Sequence, residues 1–112
     1  MSKIGIGIIG GGGIAAEGHI SGYLTDPRCE VVALWDLDAA KVREQAQRLG
    51  VPNPTFATSL EALLSRDDIQ AVSVCTPDHL HGEHAHAALR AQGAVERGGL
   101  LRVVERLERN PT

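Results

Sequence analysis

Short apolar segments alternate with amphipathic segments along the first 91 residues of the chain, and polar or glycine-rich turns separate them. The apolar segments are brief and rich in β-branched residues, which is typical of strands buried on both faces of a sheet. The amphipathic segments repeat their apolar positions at helical spacing. The pattern predicts strands at 4–9, 30–35, 55–57 and 69–75, and helices at 14–24, between Asp38 and Gly50, through Leu60, Leu63 and Leu64, and at 80–91.

Residues at the helix ends support this assignment. Asp38 is predicted to be the N-cap of the second helix and Gly50 its C-cap, while Thr58 and Glu61 stand at capping-box spacing before the third helix. Four alternations of strand and helix predict a parallel sheet with helices on both faces. With right-handed crossovers this is an α/β fold, the doubly wound parallel sheet of the Rossmann type.

The pattern changes after Gly93, which divides the chain into a doubly wound domain at 1–93 and a divergent tail at 94–112. Residues 94–99 are too polar and glycine-rich for the fifth strand that this fold would have. Apolar residues from Leu100 to Arg109 share one helical face, which predicts a C-terminal amphipathic helix at 100–109. Without a fifth strand, the fourth strand becomes an exposed sheet edge, and we expect self-association through it.

Length, charge and cysteine usage exclude several classes of protein. A chain of 112 residues forms one domain. A net charge of −3 gives no basic surface for nucleic acid or anionic membranes, and no segment has the length of a membrane span. Cys29 and Cys75 have no metal-ligand spacing, which favours a cytoplasmic protein with reduced thiols. The apolar start loosely resembles a signal peptide, but the glycine run would break its helix.

The glycine run follows the first strand directly and opens the first helix. Gly10 to Ala15 fits the pattern G-x-G-x-x-A between a predicted strand and a predicted helix, which is where this pattern indicates dinucleotide binding. Gly10 permits the tight turn, Gly12 allows backbone to approach a pyrophosphate, and Ala15 lets the helix pack closely. The helix N-terminus would hold the pyrophosphate. The alternative is a glycine-rich turn that binds nothing.

Asp36 ends the second strand, where this fold places a carboxylate against the ribose 2′-hydroxyl of the adenosine. A carboxylate there repels the 2′-phosphate of NADP, and no arginine or serine follows directly. NAD is therefore predicted as the cofactor and NADP is disfavoured. The alternative interpretation is that Asp36 caps a helix, a role for which Asp38 is better placed.

Four of the five histidines lie between positions 79 and 86, after the fourth strand. Ligands of open α/β sheets bind outside the carboxyl ends of the strands, so His79 and His81 are predicted to line the cofactor loop. His84 and His86 are predicted to be solvated helix residues, and His19 to lie at a helix surface. A zinc site is the alternative, but these histidines have no H-x-x-x-H pair and no acidic or cysteine partner at ligand spacing. No metal ligands are predicted.

The glycine turn, the segments 35–38 and 59–64, and above all the segment 72–81 resemble the glucose-fructose oxidoreductase and inositol dehydrogenase (Gfo/Idh/MocA) family over residues 3 to about 93. The resemblance implies an NAD-dependent oxidoreductase acting on CH–OH groups of sugars, polyols or related alcohols. It implies the following cofactor-binding residues: Gly10, Gly12, Gly13 and Ile14 at the pyrophosphate, Asp36 at the adenosine ribose, and Thr76, Pro77, His79 and His81 near the nicotinamide side.

The tail departs from the family pattern. The family continues into a Glu-Lys-Pro motif, whose lysine assists proton transfer, and then into a substrate domain, whereas Lys41 is the last lysine here. We therefore predict no catalytic residue in this chain and expect it to be inactive alone, as a truncated or frame-disrupted gene would be. The alternative function is a non-catalytic nucleotide-binding fragment or an interaction module.

Overall fold

The computed structural model describes residues 3–76, 83, 84, 86, 87, 90 and 102–105. Pro77, His79 and His81 lie outside the described residues. The described elements follow one another as β1 (Ile4–Ile9), α1 (Ile14–Thr25), β2 (Cys29–Trp35), α2 (Ala39–Leu49), β3 (Thr55–Phe56), α3 (Leu60–Leu64), β4 (Ala71–Val74) and β5 (Arg102–Glu105).

The strands form one sheet in the order β3-β2-β1-β4-β5, and every pair is parallel. The order runs outward from β1 in both directions, so the chain winds first to one edge and then to the other. This is the doubly wound α/β sheet that the alternation of apolar and amphipathic segments predicts.

Two groups of buried side chains cover the two faces of this sheet. On one face, α1 and α2 pack through residues such as Ala16, Ile20 and Ala46 against Ile6 and Ile8 of β1. On the other face, Leu63 of α3 packs against Ile9, Val72 and Val74. Both faces of β1 and β4 are buried, which explains why the sequence of each strand is mostly apolar without a polar face.

The ends of α2 confirm the sequence prediction, and the start of α3 corrects it. The Asp38 carboxylate accepts a hydrogen bond from the Lys41 N–H (3.1 Å), and Gly50 adopts a left-handed conformation with φ 75°. At α3, however, the N-cap is Ser59, whose Oγ accepts from the Ala62 N–H (3.0 Å). The predicted box at Thr58 is one residue early, because Ala62 is the third helical residue after Ser59.

The prediction of a C-terminal helix is wrong for residues 102–105, which form β5 beside β4 in parallel register. Val103 and Val104 are adjacent β-branched residues, and the open edge of β4 offers hydrogen-bond partners that an isolated helix cannot use. Consequently β4 is an inner strand, and the predicted exposed edge at β4 is also wrong. Self-association through that edge loses its structural basis.

The predicted helix at 80–91 is helical wherever it is described, at residues 83, 84, 86, 87 and 90. Among the described residues, none of the helices has the length and apolar character needed to cross a membrane.

Candidate functional site

The carboxyl ends of three strands meet at one edge of the sheet. Ile9 at the end of β1 lies in register with Trp35 at the end of β2 and with Val74 at the end of β4. The glycine turn, Asp36 and Thr76 follow these ends within two residues. Parallel pairing therefore brings together three segments that are distant in sequence, at the place where ligands of doubly wound sheets bind.

The glycine turn reverses the chain between β1 and α1. Gly10 has φ 81°, a conformation that residues with a Cβ rarely adopt. The N–H groups of Gly10 and Gly11 both donate to the Trp35 carbonyl oxygen, at 2.8 and 3.1 Å. These bonds attach the turn to the end of β2, so β2 fixes the position of the turn.

Steric contacts separate the roles of the later glycines. A Cβ on Gly12 would lie 2.8 Å from Cβ of Lys41, so this residue is glycine because α2 approaches it closely. The sequence prediction assigned the close approach at Gly12 to a pyrophosphate instead. A Cβ on Gly13 would meet nothing nearer than the Gly10 carbonyl oxygen at 3.6 Å, so packing within the described residues does not require glycine at position 13.

The helix α1 begins immediately after this open position. Gly13 is its N-cap and supplies no side-chain hydrogen bond to the first turn. The N–H groups of a first helical turn have no partner within the helix and carry the positive end of the helix dipole. The side chain of Ile14 is 81% exposed, so the entrance to this turn is open to solvent.

The Asp36 carboxylate connects the glycine turn with the start of α2. Its Oδ2 accepts from the Gly12 N–H at 2.9 Å, and its Oδ1 accepts from the Asp38 N–H at 2.8 Å. Each carboxylate oxygen has further acceptor capacity, so these bonds leave room for a hydroxyl donor. Asp38, rather than Asp36, caps the helix.

A cavity of about 730 Å³ lies beside Asp36, within the size range of small-molecule sites. The Arg43 guanidinium borders it and stacks over the Phe56 ring, 4.6 Å from the ring centre. The other described lining residues come from the ends of β2 and β3, from α2 and α3, and from the helical residues beyond position 82. They are Trp35, Asp36, Leu37, Ala39, Val42, Ala57, Thr58, Ser59, Leu60, Glu61, Glu83, His84, Ala87 and Arg90.

His84 lies within this wall, which corrects the prediction of a solvated histidine. It is 6% exposed, its Nδ1 lies 3.1 Å from Oγ1 of the buried Thr76, and its ring meets Trp35 edge-on at 5.4 Å. The sequence pattern missed this contact because Trp35 and Thr76 become neighbours only through strand pairing. His86 is exposed, as predicted.

Two further residues of α2, Arg43 and Gln45, lie at the site and were not predicted from the sequence. Arg43, the fifth residue of α2 and little more than one helical turn from its start, borders the cavity. The Gln45 side chain is 7% exposed and donates hydrogen bonds to two carbonyl groups of the glycine turn. Helical spacing from the Asp38 cap would have placed both residues near the site, but not their partners.

The α1 face of the sheet holds a separate polar cluster. Oγ of the buried Ser73 lies 3.1 Å from Nδ1 of His19 and 2.5 Å from the Tyr23 hydroxyl. Burial raises the pKa of Tyr23 above its usual value. The prediction that His19 lies at an ordinary helix surface misses this contact. The described residues contain no group of three or more side chains arranged to hold a metal ion.

The parallel sheet order, the glycine turn and the acidic residue that ends β2 define the class of dinucleotide-binding Rossmann domains. Residues 4–95 match the family described as "Oxidoreductase family, NAD-binding Rossmann fold". The chain belongs to this Gfo/Idh/MocA oxidoreductase family and comprises its NAD-binding domain. The family membership expected from the sequence is confirmed.

Individual relatives agree with this assignment. A glycosyl hydrolase family 109 protein of Streptomyces coelicolor is 39% identical over 96 residues, which is 80% of this chain and 19% of the relative. A D-glucoside 3-dehydrogenase of Escherichia coli is 33% identical over 90 residues, which is 80% of this chain and 25% of the relative. The curated relatives are thus much longer, and this chain spans 19 to 27% of their length.

The solved structures share the fold. The structure of GenD2 from gentamicin A biosynthesis, in complex with NAD, superposes with a TM-score of 0.73 at 23% identity. The match covers 93% of this chain and 35% of GenD2.

Proposed function

We propose that this chain binds NAD, in preference to NADP, as the cofactor-binding part of an oxidoreductase that acts on CH–OH groups of sugars, polyols or related alcohols. Bound NAD supplies hydride transfer, and the residues of this chain bind and orient it. In this proposal the adenosine ribose lies at Asp36 and the pyrophosphate lies at Gly10, Gly12, Gly13 and Ile14. Thr76, Pro77, His79 and His81 lie toward the nicotinamide, and the chain itself is cytoplasmic.

The glycine at position 13 carries this proposal. Contacts among the described residues account for glycine at positions 10 and 12, but they leave the space at position 13 open. A ligand that approaches the backbone there would account for the missing side chain, and the open first turn of α1 favours an anionic ligand. The N–H groups of Gly10, Gly11 and Gly12 already donate within the protein. Ile14 and the residues after it are therefore the better donors to a pyrophosphate.

The preference for NAD rests on Asp36, whose carboxylate borders the cavity and accepts hydrogen bonds from the N–H groups of Gly12 and Asp38. A 2′-phosphate beside this carboxylate would place like charges together, whereas a 2′-hydroxyl can donate to it. Arg43 borders the same cavity, and its positive charge would favour the 2′-phosphate of NADP. The balance between Asp36 and Arg43 therefore sets the cofactor preference.

Isothermal titration of the purified chain with NAD and NADP tests the proposal. We expect saturable binding of NAD that is roughly tenfold or more tighter than binding of NADP, a difference of about 1.4 kcal/mol. Asp36→Ala should reduce this ratio toward one, because Arg43 then faces a 2′-phosphate without the opposing carboxylate. Asp67→Ala changes the net charge equally at an exposed position, and it should leave the ratio unchanged.

Two results would contradict the proposal. Equal affinities of the wild-type chain for the two cofactors would remove the role of Asp36, and no binding of either would remove the function of the chain as an independent module. The ratio of NAD affinity to NADP affinity is compared, rather than either affinity alone, because Asp36→Ala also releases the Gly12 N–H. That loss should weaken the binding of both cofactors equally.

A non-catalytic nucleotide-binding module is the alternative function. The site residues named above bind and orient a cofactor, and Lys41, the last lysine of the 112 residues, is the third residue of α2. Turnover of a panel of polyols by the chain with NAD tests whether these 112 residues have catalytic activity of their own. We expect none by this chain alone, and measurable NADH formation would contradict that expectation.

A further inference from the structure

The buried side chain of Gln45 holds two carbonyl groups of the glycine turn. Its Nε2 donates to the Gly11 carbonyl oxygen at 2.5 Å and to the Gly13 carbonyl oxygen at 3.0 Å. Its Oε1 accepts from Nη2 of Arg48 at 2.9 Å. The opposite orientation of the amide would place an oxygen against two carbonyl oxygens and an NH₂ group against a guanidinium, so these partners fix the orientation.

Packing of α2 does not account for a glutamine at this position. The position lies on the buried face of the helix together with Val42 and Ala46, where an aliphatic side chain would serve. Burial of an amide is unfavourable unless it is hydrogen-bonded, and here both N–H donors go to the glycine turn. The requirement for an amide therefore comes from the turn.

These two hydrogen bonds determine the direction of two N–H groups. The carbonyl and the N–H of a trans peptide point in opposite directions, so fixing one fixes the other. The Gly11 carbonyl belongs to the peptide whose N–H is that of Gly12, which donates to Asp36. The Gly13 carbonyl belongs to the peptide of the Ile14 N–H. Because Gln45 holds this carbonyl, the Ile14 N–H points away from α2, at the open start of α1.

We infer that Gln45 is a positioning residue for the pyrophosphate of the cofactor, acting through the peptide planes of the glycine turn. The inference rests on the proposed binding of NAD. Arg48 supports it by holding the amide, and Arg48 in turn pairs with Glu17 of α1 at 3.4 Å. This pair is about half exposed and contributes little stability itself, so the function of Arg48 is to orient Gln45.

Gln45→Met tests the inference, since methionine has a similar length and no hydrogen-bond donor. The matched control is Gln47→Met, at an exposed position of the same helix. Binding of NAD is measured by calorimetry, binding of adenosine by NMR titration, and stability by thermal unfolding. We expect Gln45→Met to weaken NAD binding roughly tenfold while adenosine affinity stays within twofold, because adenosine has no pyrophosphate and the Asp38 N–H still holds the Asp36 carboxylate. Gln47→Met should change neither affinity.

Arg48→Met is the second variant, for use should Gln45→Met fail to fold, because it removes only a half-exposed side chain. Arg48→Met should weaken NAD binding several-fold and leave the affinity for adenosine unchanged. If the wild-type chain binds NAD and these variants bind it equally well, the inference is overturned while the proposed function stands. A parallel loss of NAD and adenosine affinity would also overturn it, since that is the effect of general destabilisation. Failure of the wild-type chain to bind NAD would overturn the proposed function itself.

Discussion

Two aspartates, Asp36 and Asp38, illustrate how position decides the role of a side chain. They lie two residues apart, yet one accepts from the glycine turn and the other caps α2. The sequence alone identified Asp38 as the cap, because a strand end followed by a helix start leaves only one good capping position. It did not predict the hydrogen bond from the glycine turn to Asp36. It could not assign the partners of Gln45 or His84, since these depend on contacts across the sheet.

Substitution of Gly13 by alanine tests the residue that the fold leaves open. We expect Gly13→Ala to change the free energy of unfolding by less than about 1 kcal/mol, because its φ of −87° suits alanine and its Cβ has room. Affinity for NAD should nevertheless fall by roughly tenfold or more, as the methyl group occupies the path of the pyrophosphate. Calorimetry and urea unfolding measure the two effects.

Gly12→Ala is the comparison variant, in which we expect the main effect to be on stability rather than on NAD affinity. Its Cβ would meet the backbone and Cβ of α2 at 2.8 to 3.1 Å, so we expect a clear loss of stability. Unchanged NAD affinity in a folded Gly13→Ala chain would show that no ligand approaches this position.

At the level of elements, both ends of α2 were predictable from the sequence, whereas the conformation of the tail was not. Asp38 and Gly50 mark α2 by local chemistry alone, which a sequence carries completely. The segment around Val103 has apolar positions that fit a helical face, but its conformation is set by pairing with Val72 on β4. Tertiary hydrogen bonding overrides local periodicity in such a case, and one sequence does not reveal the partner.

The two exposed glycines of α1 make this helix less stable than its packing allows. Gly18 lies in the helix interior, and a Cβ there would meet no atom within 4 Å. We expect Gly18→Ala to raise the free energy of unfolding by about 0.5–1 kcal/mol, because alanine lowers the entropy of the unfolded chain. Urea unfolding measures this change.

Gly50→Ala, at a residue with left-handed backbone conformation, is the control, and its effect on the free energy of unfolding should have the opposite sign. Its φ of 75° disfavours any residue with a Cβ, so Gly50→Ala should lower stability by about 1 kcal/mol. A destabilised Gly18→Ala chain would mean that α1 contacts something at this position that the described residues do not include.

At the scale of the whole molecule, the alternation of apolar and amphipathic segments predicted the parallel sheet but not its fifth strand. Four strands followed from β-branched runs, and their order follows from the rules of right-handed crossover. The fifth strand was missed because Ala94 to Gly99 suggested that the pattern had ended. The consequence was a wrong prediction of an unpaired edge at β4.

Proline substitutions test the pairing of β5 with β4. Alternate residues of a strand donate to a given neighbour, so one of Val103→Pro and Val104→Pro should lose a ladder hydrogen bond. We expect that variant to lose about 1–3 kcal/mol of stability, because a carbonyl of β4 is left without its partner, and to associate in gel filtration, as the edge of β4 opens. Val103→Thr and Val104→Thr keep the N–H groups and should behave as the wild type. Two proline variants as stable and monomeric as the wild type would exclude β5.

The place of β5 in the chain also affects how the protein is made. Residues 75–101 separate β4 from its outer partner, so a nascent chain exposes one edge of the apolar strand β4 before β5 has emerged to pair with it. During that interval the hydrogen-bonding groups of β4 can pair with other chains, which is the condition under which folding intermediates aggregate. Chaperone dependence during translation, rather than instability of the finished fold, is therefore the expected weakness of this protein in a cell.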